Sequence, residues 1–90
     1  MRFGTLQQSG SMRNYYIEKI GRGIEGGYSE DLLKVAADFD SIVDARTREG
    51  WEIVHSDMRL GVDWSSVILA KKDRDLNMHV VGYQIKSTEV

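Results

Sequence analysis

The sequence predicts an α+β fold in which one amphipathic helix packs on a small antiparallel sheet of three to four strands, in the order β-α-β-β(-β). Between residues 29 and 49, apolar side chains recur at the spacing of one helix face. Segments rich in β-branched and aromatic residues lie on either side of that stretch. A short turn joins the two segments that follow it, which is typical of a hairpin.

The first predicted strand is RNYYIEKI, residues 13–20. Tyr15 and Ile17 share one face of this strand, while Tyr16 and Ile20 share the other. We therefore expect one face to pack on the helix and the other to contact another subunit.

The predicted helix spans residues 29–49. Ser29 is the expected N-cap, and Glu30 and Asp31 place negative charge on the first turn, where the helix dipole favours it. Gly50 follows the last turn, at the position where a glycine ends many helices. The apolar stripe consists of Leu32, Val35, Ala36, Phe39, Ile42 and Val43.

The segments after the helix predict further strands. WEIVHSDMRL (residues 51–60) and WSSVILAKK (residues 64–72) are joined by the turn GVD, so they form an antiparallel hairpin. MHVVGYQIK (residues 78–86) is a last strand. We expect this last strand to be spare, so that it could pair with a strand of another subunit.

Size and charge narrow the classes of function. The chain has 90 residues, a formal net charge of −2 and no cysteine. We expect a single domain over residues 12–90, with residues 1–11 a disordered leader or a cloning scar. A small domain without disulfides is marginal as a monomer, which favours a homo-oligomer. The charge disfavours a nucleic-acid binder, and the apolar runs are too short to span a membrane, so we expect a cytoplasmic protein.

Gly21, Gly23 and Gly26 have the spacing G-x-G-x-x-G of a dinucleotide-binding turn. Such a turn leads directly into a helix whose N-terminus attracts phosphate. Here three residues intervene, and Glu30 and Asp31 would repel an anion at the start of the helix. The segment is therefore predicted to be a sharp or mobile connection and not a phosphate-binding loop.

The residues that could support catalysis form no recognisable catalytic set. His55 and Asp57 share a strand face and could orient a general base or contribute two metal ligands, but no third ligand or nucleophile accompanies them. The simpler interpretation is a polar pair that is solvated or at an interface. His79 is isolated on a strand of uncertain facing. We expect no enzymatic activity, no metal and no bound cofactor.

Trp51 and Trp64 lie at or near strand starts, where large aromatic side chains serve as core, as interface anchors or as stacking platforms. Core packing is the preferred interpretation for Trp51. For Trp64, the core, interface and stacking roles all stay open. If a small ligand binds, these tryptophans would stack on it, and Arg22 or Arg59 would meet a phosphate.

The segment TREGWEIVHSD (residues 47–57) carries a family resemblance. A helix that ends in EGWE (residues 49–52), followed by two strands of which the second closes on AKK, resembles domain of unknown function 4177. These short bacterial and phage proteins begin with a Tyr-rich strand, as NYYIEKI does here. The resemblance covers residues 14–72 and implies a compact β-α-β-β unit without established activity. In topology alone, the chain is similar to the dodecins, flavin-storing oligomers with a tryptophan just after the helix, where Trp51 stands.

Two functions of different classes follow from these observations. The first is a non-enzymatic oligomeric or protein-interaction module, which the two-sided first strand and the spare last strand favour. The alternative is a small-molecule binder that holds a flavin or nucleotide between subunits, in a dodecin-like or signal-sequestering role.

Overall fold

The computed structural model describes residues 13–58 and 65–89, which form one helix and five strands. The elements in chain order are β1 (Arg13–Lys19), β2 (Gly23–Ile24), α1 (Leu32–Arg48), β3 (Glu52–Met58), β4 (Ser65–Lys72) and β5 (Met78–Glu89). The predicted α+β class and the element order are confirmed, and the two-residue β2 is an addition to the predicted strands. The predicted turn Gly61–Asp63 and the predicted leader lie outside the described residues.

The sheet is antiparallel and has the order β2-β1-β5-β4-β3. The last strand therefore lies between β1 and β4, and the expectation that it is spare was wrong. At 12 residues β5 is longer than either neighbour, so β4 pairs with Met78–Gln84 while β1 pairs with Tyr83–Glu89. The two neighbours overlap only around Tyr83 and Gln84, which leaves part of each edge of β5 without a described strand beside it.

The helix begins later than the sequence predicted. Ser29 forms an isolated antiparallel bridge with Tyr15 of β1, through N–H···O distances of 2.7 and 3.0 Å. Because this bridge holds Ser29 against the sheet, Asp31 is the N-cap, and its carboxylate accepts the backbone N–H of Leu33 at 3.0 Å. The prediction of Ser29 as the cap was wrong, and Glu30 precedes the first turn and does not lie within it.

The other end of the helix was predicted correctly. Gly50 adopts φ +99°, and its N–H bonds to the carbonyl of Thr47 at 3.1 Å. The N–H of Trp51 bonds to the carbonyl of Arg46 at 3.1 Å, which completes a Schellman motif. This motif places Trp51 directly under the last helical turn, where it packs partly buried against the core.

The core lies between the helix and one face of the sheet. Among residues 13–58 and 65–89, the buried side chains are all apolar or aromatic: Ile17, Val35, Phe39, Val67, Leu69, Tyr83 and Ile85. The helix packs mainly over β1 and β5. It leaves a groove beside β3, lined by apolar side chains that include Phe39, Val43, Ile53 and Val67.

The glycine-rich segment forms an ordered hairpin. Gly21 and Gly23 have φ values of +79° and +110°, and the N–H of Arg22 bonds to the carbonyl of Lys19 at 2.8 Å. The chain then returns along β1 as β2. The segment is thus a sharp turn that directs the chain to the far side of β1, and it does not lead into the helix.

Strand β3 is the outer strand on the opposite side of the sheet from β2. Its pairing with β4 shifts by one residue between Ile53 and His55, so that Val54 has no cross-strand partner. A bulge of this kind in an outer strand twists it and hinders pairing with further strands. The predicted hairpin is confirmed, but the bulge interrupts the simple alternation of its faces.

Candidate functional site at one end of the sheet

One end of the sheet combines a strand position that none of the described residues fills, a cluster of cations and an exposed apolar surface. Beyond Gly82, β5 continues as Met78–Val81 with β4 on one side only, because β1 ends and the chain turns away after Ile20. The C-terminal end of the helix lies on one side of this region of β5. On the other side lies the sheet face that the helix does not cover.

A cleft of about 520 Å³ opens between the β1–β2 turn, the end of the helix and β5. Three cationic side chains and a tryptophan line it: Lys19, Arg22, Arg46 and Trp51. We call these four residues and the space between them the cationic cleft. The volume is in the range of pockets that hold small molecules or short peptide segments.

Arg46 is held in place from two sides. Its Nε donates to the hydroxyl of the buried Tyr83 at 3.0 Å, and its guanidinium donates to the carboxylate of Glu49 at 2.9 Å. The hydrogen bond to Tyr83, followed by that to Glu49, raises the pKa of Arg46 above its ordinary value. The arginine therefore presents a fixed positive charge in a fixed orientation.

Lys19 and Arg22 differ from Arg46, because no carboxylate of the described residues pairs with them. Neither side chain makes a hydrogen bond or ion pair to any of the described residues. Among the described residues lining the cleft, Glu49 is the one carboxylate, and it already accepts from Arg46. The cleft is therefore a local excess of positive charge on a chain whose formal net charge is −2.

The face of the sheet opposite the helix is apolar at this end. Val80, Met78 and Ile20 are 64%, 55% and 44% exposed, and the bulge residue Val54 is 59% exposed. Ala70 pairs with Val80 across β4 and β5. We call the following set the apolar patch: Ile20, Val54, Ile68, Ala70, Met78 and Val80.

A row of polar side chains crosses the three central strands of the same face. Glu18 of β1 accepts a hydrogen bond from Gln84 of β5 at 2.6 Å, and Ser66 is the partner of Gln84 on β4. Exposed apolar side chains also occur in β2 and just after it, at Ile24 and Tyr28, but the largest group lies at the end that carries the apolar patch. Clustered apolar exposure of this kind marks interaction surfaces more often than scattered exposure does.

Charges of both signs lie at the rim of the apolar patch. Glu52 pairs with Ala70 across β3 and β4, and Lys72 pairs with Met78 across β4 and β5. Both line the same shallow depression as Val54. A surface with both signs of charge on one rim can match a rotated copy of itself.

His55 and Asp57 lie on the uncovered face, opposite Ile68 and Ser66 of β4, as their spacing predicted. His79 lies elsewhere and is bound to Asp73, with Nε2 2.9 Å from a carboxylate oxygen. The described residues contain no cluster of three or more potential metal ligands. The structure thus does not bring the two histidines together.

Asp73 organises the turn between β4 and β5. Its carboxylate accepts the backbone N–H groups of Asp75 at 2.8 Å and Asn77 at 2.9 Å, in addition to the contact with His79. The hydrogen bond with His79, followed by those with the backbone, lowers the pKa of Asp73 below its ordinary value of 3.8. The ionised carboxylate is therefore the form that stabilises the turn.

The sign of this shift gives a prediction for Asp73→Asn. Because the folded pKa lies below the unfolded one, the stabilisation is complete above pH 3.8 and is lost as the pH falls through the folded value. At pH 6, the urea concentration at the midpoint of unfolding should be higher for wild type than for Asp73→Asn. Below pH 4, the difference between these two midpoints should become smaller. Asp75→Asn, a change in the same turn, is the control and should show no such narrowing. A difference that is constant with pH would contradict the assignment.

Two of the four sequence-predicted ligand residues, Trp51 and Arg22, line the same cleft. Trp64 and Arg59 lie outside the described residues. Sequence reasoning missed Lys19 and Arg46, because their proximity depends on the sheet order. A partial signal was present for Arg46, which stands in the last helical turn just before the Gly50–Trp51 pair.

Comparison with known proteins gives no relative: no protein family, curated protein or solved structure matches this chain. The resemblance to domain of unknown function 4177 therefore stays a prediction. In the part of the chain that the structure describes, no helix is long and apolar enough to cross a membrane.

Proposed function

We propose that this chain is a small non-enzymatic interaction module that associates with a second copy of itself through the apolar patch. The observation that carries the proposal is the clustering of four exposed large apolar side chains at one end of the uncovered sheet face. Burying them would remove apolar surface from water, at a gain of roughly 25 cal/mol per Å². Self-association would thereby supplement a core of seven buried side chains among the described residues.

The choice of a second copy as partner rests on the charges at the rim. Glu52 and Lys72 flank Val54 and Met78. In a twofold arrangement, the same patch meets itself, so the carboxylate of one copy can face the ammonium group of the other. A surface of one sign would repel its copy, whereas this rim is complementary to itself.

The first test is the mass of the protein in solution, measured by analytical ultracentrifugation over a range of concentrations. Wild type should form a dimer, and Met78→Lys should be monomeric, because it places a charge in the buried centre of the contact. Leu33→Lys is the matched control. Leu33 is 80% exposed on the first helical turn, away from the patch, so its replacement should leave the dimer intact.

A charge exchange tests the twofold arrangement itself. Glu52→Lys alone and Lys72→Glu alone should each weaken the dimer, because each leaves like charges at the rim. The variant that carries both Glu52→Lys and Lys72→Glu should form the dimer again, because each contact at the rim then joins opposite charges once more. A monomeric wild type at high concentration, or a dimer insensitive to Met78→Lys, would contradict the proposal.

A second candidate function is binding of a small anionic aromatic ligand, such as a flavin or nucleotide, in the cationic cleft. It is favoured by the two free cations, Lys19 and Arg22, beside the partly buried indole of Trp51. Such a ligand should quench the fluorescence of Trp51 and raise the melting temperature, with a rise that grows as the logarithm of the ligand concentration above Kd. FMN and AMP are suitable probes, with Arg22→Gln as the variant that should weaken both effects.

A further inference from the structure

The unoccupied strand position beside β5 has the dimensions of a short added strand. The last bond on this side of β5 runs from the N–H of Ile20, the residue after β1, to the carbonyl of Gly82, at 2.8 Å. From there to Met78, β5 has β4 on one side and no described strand on the other. A segment that continued the line of β1 would fill this position.

The backbone of β5 is oriented to receive such a segment. In an antiparallel ladder, successive residues direct their N–H and C=O groups to opposite sides. The carbonyl of Gly82 points toward β1, so the N–H and C=O of Val80 point to the same, unoccupied side. The pairing with β4 is then carried by the alternate residues, Val81 with Leu69 and Tyr83 with Val67. Val80 thus presents at this edge a backbone donor and acceptor that no described residue bonds.

The charged side chains around this edge of β5 favour some added strands over others. Lys19 and Arg22 stand where β1 ends, and Arg46 and Trp51 stand on the helix side. A second copy of β5 would bring its own Lys19 and Arg22 toward these cations, which costs free energy through like-charge repulsion. An acidic strand would instead place carboxylates beside Lys19 and Arg22, two cations without an ion pair among the described residues.

We propose that this edge binds an extended, acidic segment of a partner protein, which adds to the sheet antiparallel to β5 beside Met78–Gly82. Its backbone bonds to Val80, its carboxylates lie on the helix side and meet Lys19 and Arg22, and its alternate, apolar side chains lie beside Val80 on the uncovered face. This is recognition by strand addition, in which the main chain supplies affinity and the flanking side chains supply specificity. It goes beyond self-association, which uses the face of the sheet and not its edge.

The test uses a short, fluorescently labelled peptide of alternating glutamate and valine, with a lysine–valine peptide of equal length as control. Fluorescence anisotropy should show binding of the acidic peptide, weakened by added salt, and no binding of the basic one. Lys19→Gln combined with Arg22→Gln should weaken binding by about tenfold or more, because two charge-assisted contacts are lost. Binding of neither peptide, or of both equally, would overturn the proposal.

Val80→Pro separates strand addition from simple attraction of charge. Proline removes the N–H of Val80, which lies in the middle of this edge, and leaves the bonds to β4 in place. Val80→Pro should lower the affinity for the acidic peptide by about tenfold, because one backbone hydrogen bond is lost and the proline ring obstructs the added strand. Val80→Ala keeps the N–H and should bind within about twofold of wild type. Equal binding by Val80→Pro would overturn strand addition.

Hydrogen exchange on the wild-type protein gives a second measurement that does not depend on the folding of a variant. The amide of Val80 should exchange at least about tenfold more slowly with the acidic peptide present, since it becomes hydrogen-bonded. AMP, added in place of the peptide, should leave this amide unchanged. If AMP binds, competes with the peptide and Val80 is never protected, the cleft is a small-anion site and the strand proposal is wrong.

Discussion

Replacing Phe39 by alanine is expected to lower the free energy of unfolding by about 3–5 kcal/mol. Phe39 is 1% exposed and lies on the helix face that packs on the sheet. Its removal leaves a cavity that neither layer can close, because the main chain of each is fixed by its own hydrogen bonds. A domain of this size is stabilised by only ~0.05–0.15 kcal/mol per residue, so the loss is a large part of the total.

Urea denaturation followed by circular dichroism measures this effect. Leu33→Ala removes an apolar side chain from the same helix, but one that is largely in water, and should change stability by no more than about 0.5 kcal/mol. If the two variants lost equal stability, the assignment of the buried helix face would be wrong.

The second large effect is expected for Ile17→Ala, at about 2–5 kcal/mol. Ile17 is 1% exposed in β1 and pairs with Ile85 of β5. It also forms the surface against which Gly26 lies: a Cβ built on Gly26 would be 3.3 Å from both Cβ and Cδ1 of Ile17. Ile17→Ala therefore removes a side chain that joins the sheet to the glycine-rich turn.

This contact predicts coupling between the two positions. Gly26→Ala should destabilise wild type by about 1 kcal/mol, because the buried isoleucine has little room to move. In the Ile17→Ala background the same change should cost less, since Cδ1 is gone and the new methyl group occupies part of the cavity. Denaturation of the four proteins gives the coupling energy, and strictly additive losses would contradict the contact.

The fold class could be predicted from local patterns, which the structure follows closely. The apolar stripe that includes Val35 and Phe39 identified the helix face, and Gly50 followed by Trp51 identified its end. These signals lie within a few residues of one another in the sequence. Local backbone and side-chain preferences therefore suffice to produce them.

The features that were missed depend on contacts between distant segments. Ser29 has the side chain of a cap, but its bridge to Tyr15 moves the start of the helix to Asp31. The cationic cleft likewise depends on the strand order, which brings the end of β1 close to the end of the helix. Neither spacing nor composition specifies that Lys19 lies near Arg46, so the site could be predicted only in part.

The central position of β5 also constrains when the sheet can form. The hydrogen bond between Arg13 and Ser87 joins residues 74 positions apart, and that between Glu18 and Gln84 joins residues 66 apart. During synthesis, β1 leaves the ribosome before the other described elements. The strand that lies between it and β4 is β5, which is the last described element to be made. Such a high contact order slows folding, because the entropy of closing a long loop is lost before the strands bond. Until then the nascent chain exposes the core face of β1, so the order of strands in the sheet delays formation of the core until β5 has been synthesised.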